Sequence, residues 1–463
     1  MKRPPGESIS EQAVVNALGP LTLPGSELDQ FMASLGQRHR SVLRVRRDRA
    51  DQSLPYETDP VSWYSLGHQL INENDRPSRH ILYAAGDYYL QDAGSLLALA
   101  ACGADRSDLA GLKVCDLCAA PGGKASGLLE AVSDTGFLLA NEPIRSRIAP
   151  LAFNLARTGS NRYAISCSDP DDLASALAGQ FDIVLVDAPC SGQALMARGK
   201  QSMSALSEKQ IVHSAARQER ILDAALRLLR PGGRLIYSTC TFAVAENEAQ
   251  IDRLVERQVA APCPVDRLAN YASGEATYRL WPHRHRCAGS FAASVVALES
   301  HSLDADIESN LISGSSRKSK KKKDRDKDDM RVLKSLPLDE WYGDGVAEGR
   351  LKVTDSVIYG WPSDTPDWVT QIAMDGPELS HRTGQTWKPA HAGALRSSSS
   401  PMAVDVDAAT AAQYLSGGTI TCATKGWHVV RYNDRPLGWV KSSGGTGKNH
   451  LPTSARFNGV LDH

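Results

Sequence analysis

Two cysteines stand where a thiol could act. Cys190 lies in "DAPCSG" (Asp187 to Gly192), directly after the apolar run "FDIVLV", and Cys240 follows "RLIYS" within "STCTF". A thiol is intrinsically nucleophilic and ionises more readily than an alcohol, which suits it to attack the electron-poor 6-carbon of a pyrimidine. Free cysteine is also a small core hydrophobe, so taken alone Cys190 reads as an attacking group, an auxiliary group or an inert buried thiol. The shared position of both thiols at the ends of β-like runs argues for chemistry, and Asp187 adds a carboxylate at the same rim.

A second constellation suggests a nucleoside cofactor. "DLCAAPGGKASGLL", from Asp116, sets a turn between a strand and a helix, where Gly122 and Gly123 let backbone amides approach a ligand closely. The G-x-G-x-x-G form is absent. Glu142 ends the next β-like run in "LLANEP", about 20 residues on, where an acid commonly bonds ribose hydroxyls. Asp169, in "SCSDPDD", could accept from an adenine amine or could cap a helix. Two thiols, a carboxylate and a nucleoside pocket fit one reaction, methylation of a pyrimidine at carbon 5.

Parallel strands must position these residues. "KVCDL", "FLLAN", "FDIVLVD" and "RLIYS" read as strands, while "KASGLLEAV", "APLAFNLARTG" and "QERILDAALRLLR" read as helices. Such alternation predicts an α/β doubly wound sheet with ligands at the carboxyl ends of its strands. "RPGG", Arg230 to Gly233, reads as a helix stop and turn, and "GSFAASVVAL" as a last strand.

The 463 residues allow several domains, and 42% hydrophobic with 23% charged residues exclude a disordered or fibrous chain. The net charge of -1 hides basic clusters at Arg38 to Arg49 and Arg317 to Lys327. The first cluster reads as a solvated helix face or an RNA contact, the second as part of a disordered linker. "MKRPPGESIS" has no apolar region after its basic residues, so no secretory signal is expected; no apolar run is long enough to span a bilayer, and nine scattered cysteines suggest a reducing cytoplasm. Cys115 and Cys118 form a C-x-x-C pair with no second pair at zinc spacing, so no metal site is expected. "GGTGKNH" fails as a P-loop, because Ser442 replaces the first glycine and Asn449 the Ser/Thr.

"DLCAAPGGK", "NEP", "DAPCSG" and "STCTF", in this order, resemble the motifs of the Nop/Sun family of RNA cytosine-5 methyltransferases. The likeness spans roughly Phe31 to Leu298. It departs at Ala125, where Thr is frequent, and at "GSFAAS". "KGWHVVRYNDRPLGWVKSSGGTGKNHLPTSAR" resembles the PUA-like RNA-binding domain of the bacterial type-F enzymes acting on small-subunit ribosomal RNA.

The resemblance implies S-adenosylmethionine as cofactor, lined by Cys118, Ala119, Ala120, Pro121, Gly122, Gly123 and Lys124. Glu142 would hold its ribose, Asp169 its adenine, and Asp187 would sit between cofactor and target base. Cys240 matches the nucleophile and Cys190 the thiol that helps release product, while Lys124 would orient Asp187 or favour a thiolate. The expected organisation is an N-terminal RNA-contacting extension (1–95), a Rossmann-like methyltransferase domain (96–300), a charged linker (301–335), an intermediate region (336–395) and a PUA-like domain (396–463). In that last domain Lys425, Arg431, Arg435, Lys441 and Lys448 are cations suited to phosphate. The expected partner is small-subunit ribosomal RNA or the assembled subunit, met by a cytoplasmic monomer without membrane contact. Transfer RNA as substrate, or a non-catalytic role in ribosome assembly, are the rival readings.

Overall fold

A strand covered on both faces carries apolar residues without alternation, and "FDIVLVD" and "FLLAN" have that pattern. In the computed structural model they are central strands. The structure describes residues 10–198, 203–298, 329–343, 346–396, 402–457 and 459. Of the expected linker only its last few residues are among these, and the basic run Arg317 to Lys327 lies outside them.

The chain divides into two units, and the described part of the first comes from 10–74, 89–148 and 167–298. Its sheet contains β1 (Lys113–Asp116), β2 (Phe137–Asn141), β3 (Phe181–Asp187), β4 (Leu229–Thr239), β5 (Ala260–Pro262), β6 (Thr277–Leu280) and β7 (Ser290–Ala297). Within this unit the order is β5-β7-β4-β3-β1-β2, with β6 also paired to β7. The pairs β2/β1, β1/β3 and β3/β4 are parallel. The last expected strand, β7, is present but antiparallel to β4, β5 and β6. After β2 the chain returns across β1 to lay β3 on its other side. That reversal opens a crevice at the carboxyl ends of β1 and β3, where open α/β sheets bind ligands.

Helices α1 (Gly123–Ala131), α2 (Pro170–Ala176), α3 (Glu208–Leu228) and α4 (Glu248–Glu256) follow β-strands or the motif loops. α3 runs directly into β4, so "RPGG" does not separate the two elements as expected. Phe181 pairs with Leu229 and Ile183 with Arg234, which leaves the Pro-Gly-Gly segment as a bulge inside the strand. The turn chemistry is real, with Gly232 at φ 72, and the continued pairing on either side absorbs it.

The basic run Arg38 to Arg49 is not a solvated helix face. Residues Val42–Val45 form a fully buried strand, in which Arg44 is 1% exposed and bonds Glu130 at 2.6 Å and Ser126 at 2.8 Å. Arg46 pairs with Asp48, and Arg47 donates to backbone carbonyls of Ala104 and Arg106. Ahead of it, the helices Glu11–Leu18 and Gly25–Ser34 bury Val14, Leu18 and Phe31 against Phe242 and Trp281. Cys240 is packed against the same cluster.

The described residues of the second unit come from 75–88, 149–166, 329–343, 346–396, 402–457 and 459. It holds a four-stranded antiparallel sheet spanning Arg350–Val353 to Thr386–Pro389 and a five-stranded sheet built within 403–449. In the latter, "YNDRP" makes the expected hairpin turn, with Asn433 and Asp434 both at positive φ (47 and 62) as tight two-residue turns require. The helix Ala408–Leu415 is capped by Asp407, which accepts from the Thr410 amide at 2.8 Å. Its buried face, Ala411, Tyr414 and Leu415, packs with Val430, Leu437, Ile81 and Ala85. The core of this C-terminal module therefore includes residues from far upstream.

Candidate active site

The crevice at the ends of β1 and β3 is a cleft of about 620 Å³, within the range of small-molecule sites. Of the catalytic and cofactor-binding residues expected from the sequence, all line it except Gly122. Gly122 acts from behind, as the N-cap of α1 at φ 110, a backbone conformation that L side chains rarely adopt. Its neighbour Gly123 leaves room for the wall opposite: a Cβ there would stand 3.2 Å from Tyr89 Cε1 and 3.3 Å from Gln91 Oε1.

The loop after β1 carries Cys118 to Pro121 along the cleft, and the loop after β2 carries Glu142. Glu142 is 1% exposed, accepts from the Ile144 amide at 2.9 Å and pairs with Arg147 at 3.0 Å. Arg147 also donates to the Ala120 carbonyl at 2.6 Å, tying the two loops. Asp169 caps α2, accepting from the Asp171 amide at 3.0 Å, while its other oxygen meets Arg220 at 3.1 Å. The capping role and a place on the cleft wall therefore coexist.

Asp187, at the end of β3, lies 2.8 Å from the Lys124 ammonium. Burial alone would lower the Lys124 pKa, yet the Asp187 carboxylate more than offsets it and holds the lysine charged. The two thiols meet at the far end of the cleft, with Cys190 Sγ 3.2 Å from Cys240 Sγ and accepting from the Cys240 amide at 3.4 Å. The hydrogen bond with Cys240, reinforced by burial, raises the Cys190 thiol well above its ordinary pKa. Cys118, by contrast, is raised by burial and by the carboxylates around it, and makes no thiol contact of this kind.

Three residues passed over in the sequence reading organise the site. Asn141, fully buried, takes the Ala119 amide on its backbone carbonyl and reaches Ser168 through both side-chain atoms (3.0 and 3.2 Å), so it fastens three strand-end loops together. Asp116 is buried at the cleft floor, and burial with the nearby Asp187 charge pushes its carboxyl up to about 8. Its Oδ2 has no protein partner among the described residues. Glu246 accepts from the Ser191 amide and from Gln218, both at 2.9 Å, and from the Thr241 hydroxyl at 3.4 Å. Ser191 and Thr241 each follow a cleft cysteine and bond each other at 2.8 Å. The available signals were small ones: Asn141 opens "NEP", Asp116 opens "DLCAAPGGK" and Glu246 opens "ENE" after "STCTF".

A buried acid with an open oxygen, a glycine turn at a helix start and the paired Glu142 fit a nucleoside-bearing cofactor such as S-adenosylmethionine. Among solved structures, a methyltransferase homolog from Pyrococcus horikoshii is similar over 62% of this chain and 98% of its own, with 23% identity and a TM-score of 0.52. NSun6 from the same organism is similar over 64% of this chain and 98% of its own, at 17% identity and a TM-score of 0.51. Sheet order and cleft match the α/β Rossmann-like fold that these two structures share.

The family model for 16S rRNA methyltransferase RsmB/F matches residues 109–296, and that for the methyltransferase RsmF PUA domain matches 402–457. Ribosomal RNA small subunit methyltransferase F of Cronobacter sakazakii is 26% identical over 477 residues, covering 94% of both chains. Its counterpart in Aeromonas hydrophila is 32% identical over 58% of this chain and 59% of that one. The chain is an S-adenosylmethionine-dependent methyltransferase with a PUA-like domain, similar to the RsmF and NSun RNA (cytosine-5-)-methyltransferases.

Proposed function

We propose that the chain methylates carbon 5 of a cytosine in small-subunit ribosomal RNA, with Cys240 as nucleophile and Cys190 as the group that receives the departing proton. The observation that carries this reading is the pair of thiols 3.2 Å apart beside the Lys124–Asp187 ion pair, since binding alone needs neither thiol. The relatives similar over 94% of this chain are ribosomal RNA small subunit methyltransferases, which favours ribosomal over transfer RNA.

S-adenosylmethionine, when bound, supplies an electrophilic methyl group. Cys118 to Lys124 line its cleft, Glu142 takes the ribose hydroxyls and Asp169 the adenine amine. The target cytosine leaves its stack to reach the thiols. In the resting site the Cys190 and Cys240 sulfurs share a hydrogen bond, and that contact keeps the proton on Cys190. Cys240 gives up its proton to solvent and its sulfur bonds carbon 6, while Asp187 accepts from the base's amine on the ring-nitrogen side and the Lys124 ammonium beside it offsets the negative charge that attack puts on the ring. With Cys240 engaged, the bond that raised the Cys190 pKa is gone. Cys190 loses its proton to solvent and takes the carbon-5 proton once the methyl group is in place. The carbon 6–sulfur bond breaks, and Cys240 departs as thiolate.

A cytoplasmic reaction is part of this reading, since nine free thiols suit a reducing compartment. Labelled S-adenosylmethionine incubated with small ribosomal subunits, their naked RNA and transfer RNA tests the reading. Label at a single cytosine of the small-subunit RNA is expected; label in transfer RNA alone would overturn the substrate.

A further inference from the structure

Methyl transfer leaves the oxidation state of both cleft thiols unchanged, yet their placement suits a second chemistry. All nine cysteines are free, and Cys102, Cys115, Cys287 and Cys422 are buried. Cys118, Cys190 and Cys240 line the cleft, where a small solute reaches them. Among the described residues only Cys190 and Cys240 bring sulfur to sulfur, at 3.2 Å, although 50 residues of chain separate them. That distance falls in the range of about 3–3.5 Å from which neighbouring atoms react.

The backbone around the two sulfurs is already fastened. The Cys240 amide donates to the Cys190 sulfur at 3.4 Å, and the Ala194 amide donates to the Cys240 carbonyl at 3.0 Å. Gln193, 1% exposed, accepts from the Phe242 amide at 2.9 Å, and the Ser191 and Thr241 hydroxyls bond each other at 2.8 Å. Folding has therefore met the entropic cost of bringing the thiols together, and a bond between them closes no new loop in the native chain.

We propose that Cys190 and Cys240 are also an oxidation site, at which a hydroperoxide joins the two sulfurs as a disulfide and reversibly silences methyl transfer. Cys240, having released its proton to solvent, attacks the peroxide: a sulfur–oxygen bond forms, the oxygen–oxygen bond breaks, and the leaving oxygen departs as hydroxide. The Cys190 sulfur then attacks the resulting sulfenic acid. The sulfur–sulfur bond forms, the sulfur–oxygen bond breaks, and the second hydroxide takes the Cys190 proton to give water. Two electrons pass from the two sulfurs to the peroxide. An external dithiol returns them by thiol–disulfide exchange, which suits a bond formed transiently in a reducing compartment. The cross-link stands on geometry alone, whereas the loss of methyl transfer rests on the reading of both thiols as catalytic.

The test takes the full chain, fully reduced and then freed of reductant, and treats it with hydrogen peroxide. Peptide mass mapping without reduction should recover the Cys190 and Cys240 peptides as one linked species, two hydrogen atoms lighter than the pair. Methyl transfer should be lost with the appearance of that species and return with dithiothreitol. Cofactor affinity by calorimetry should hold at the reduced protein's value, since the cofactor turn, Glu142 and Asp169 are chemically unchanged. Cys190→Ala supplies a second arm. With no neighbouring thiol, its Cys240 should climb under excess peroxide to sulfinic acid, which dithiothreitol does not reverse, while wild type given the same dose stops at the disulfide. Equal sulfinic acid at Cys240 in both proteins, or a linked species that contains Cys118 instead, overturns the proposal and leaves the catalytic reading standing. A Cys190–Cys240 link in a chain that still transfers methyl groups at the full rate overturns the silencing, and with it the catalytic reading of the thiols.

Discussion

Two thiols in hydrogen-bond contact differ in when they act, and substitution separates them. Cys240→Ala should abolish methylation and any protein–RNA adduct. Cys190→Ala should permit attack yet leave the enzyme attached to its RNA, as a denaturant-resistant band on a gel that ribonuclease collapses. An inert Cys190 would give normal turnover after the same change, with only a small cavity cost. Asp116 makes a different kind of test. Its carboxyl is raised from 3.8 to about 8, so the folded protein binds a proton that the unfolded chain releases, and its contribution to stability is present below about pH 4 and lost as pH rises through about 8. Asp116→Asn keeps an oxygen for the Cys118 amide and removes the titration. Urea denaturation across that window should show a flatter pH dependence in the variant; parallel curves would contradict the assignment.

Loops at strand ends place the thiols, and buried Glu246 joins the two loops that matter most. Glu246→Ala leaves the Ser191 amide and the Gln218 amide group without their acceptor, at about 1–3 kcal/mol for each unsatisfied buried donor. Stability should fall by that order, and the methylation rate should fall at saturating cofactor and RNA. Glu246→Gln, which retains an acceptor oxygen, should recover most of both; a rate unchanged in the alanine variant would remove Glu246 from the positioning of the thiols. The strands and motif loops were legible in the sequence because apolar runs and glycine or proline punctuation are local signals. Asn141 and Glu246 were not, since the partners of Asn141 lie 22 to 27 residues away and those of Glu246, apart from nearby Thr241, lie 28 to 55 away. The same holds for Arg44, whose partner Glu130 is 86 residues away and turns an apparently solvated arginine into a buried strut. "RPGG" misled for another reason, because pairing with β3 resumes beyond the turn.

Each unit is assembled from separated pieces of chain. In the second, Ile81 and Ala85, with Ala84 and Phe153 packed beside them, complete a core whose other residues lie beyond 400, and Asp87 finds its counter-charge in Arg435. Removing one partner of a buried pair costs about 3–5 kcal/mol, because the other charge stays buried. Arg435→Ala should lower the unfolding free energy by that order in chemical denaturation while cofactor affinity measured by calorimetry stays at the wild-type value. A loss under 1 kcal/mol, on the order of an exposed pair, would mean that water reaches Asp87.

The interleaving also bears on how the polypeptide is born. Translation runs from the amino terminus, and Ile81, Ala85 and Phe153 emerge from the ribosome long before Tyr414, Val430 and Leu437, the residues that will cover them. During synthesis those apolar side chains have no native shelter, so the second unit cannot close until the codons for Ala411 to Leu451 have been read. A chain cut short by a premature stop codon after residue 400 would expose that surface permanently, making it a substrate for chaperones and proteases instead of a smaller working enzyme.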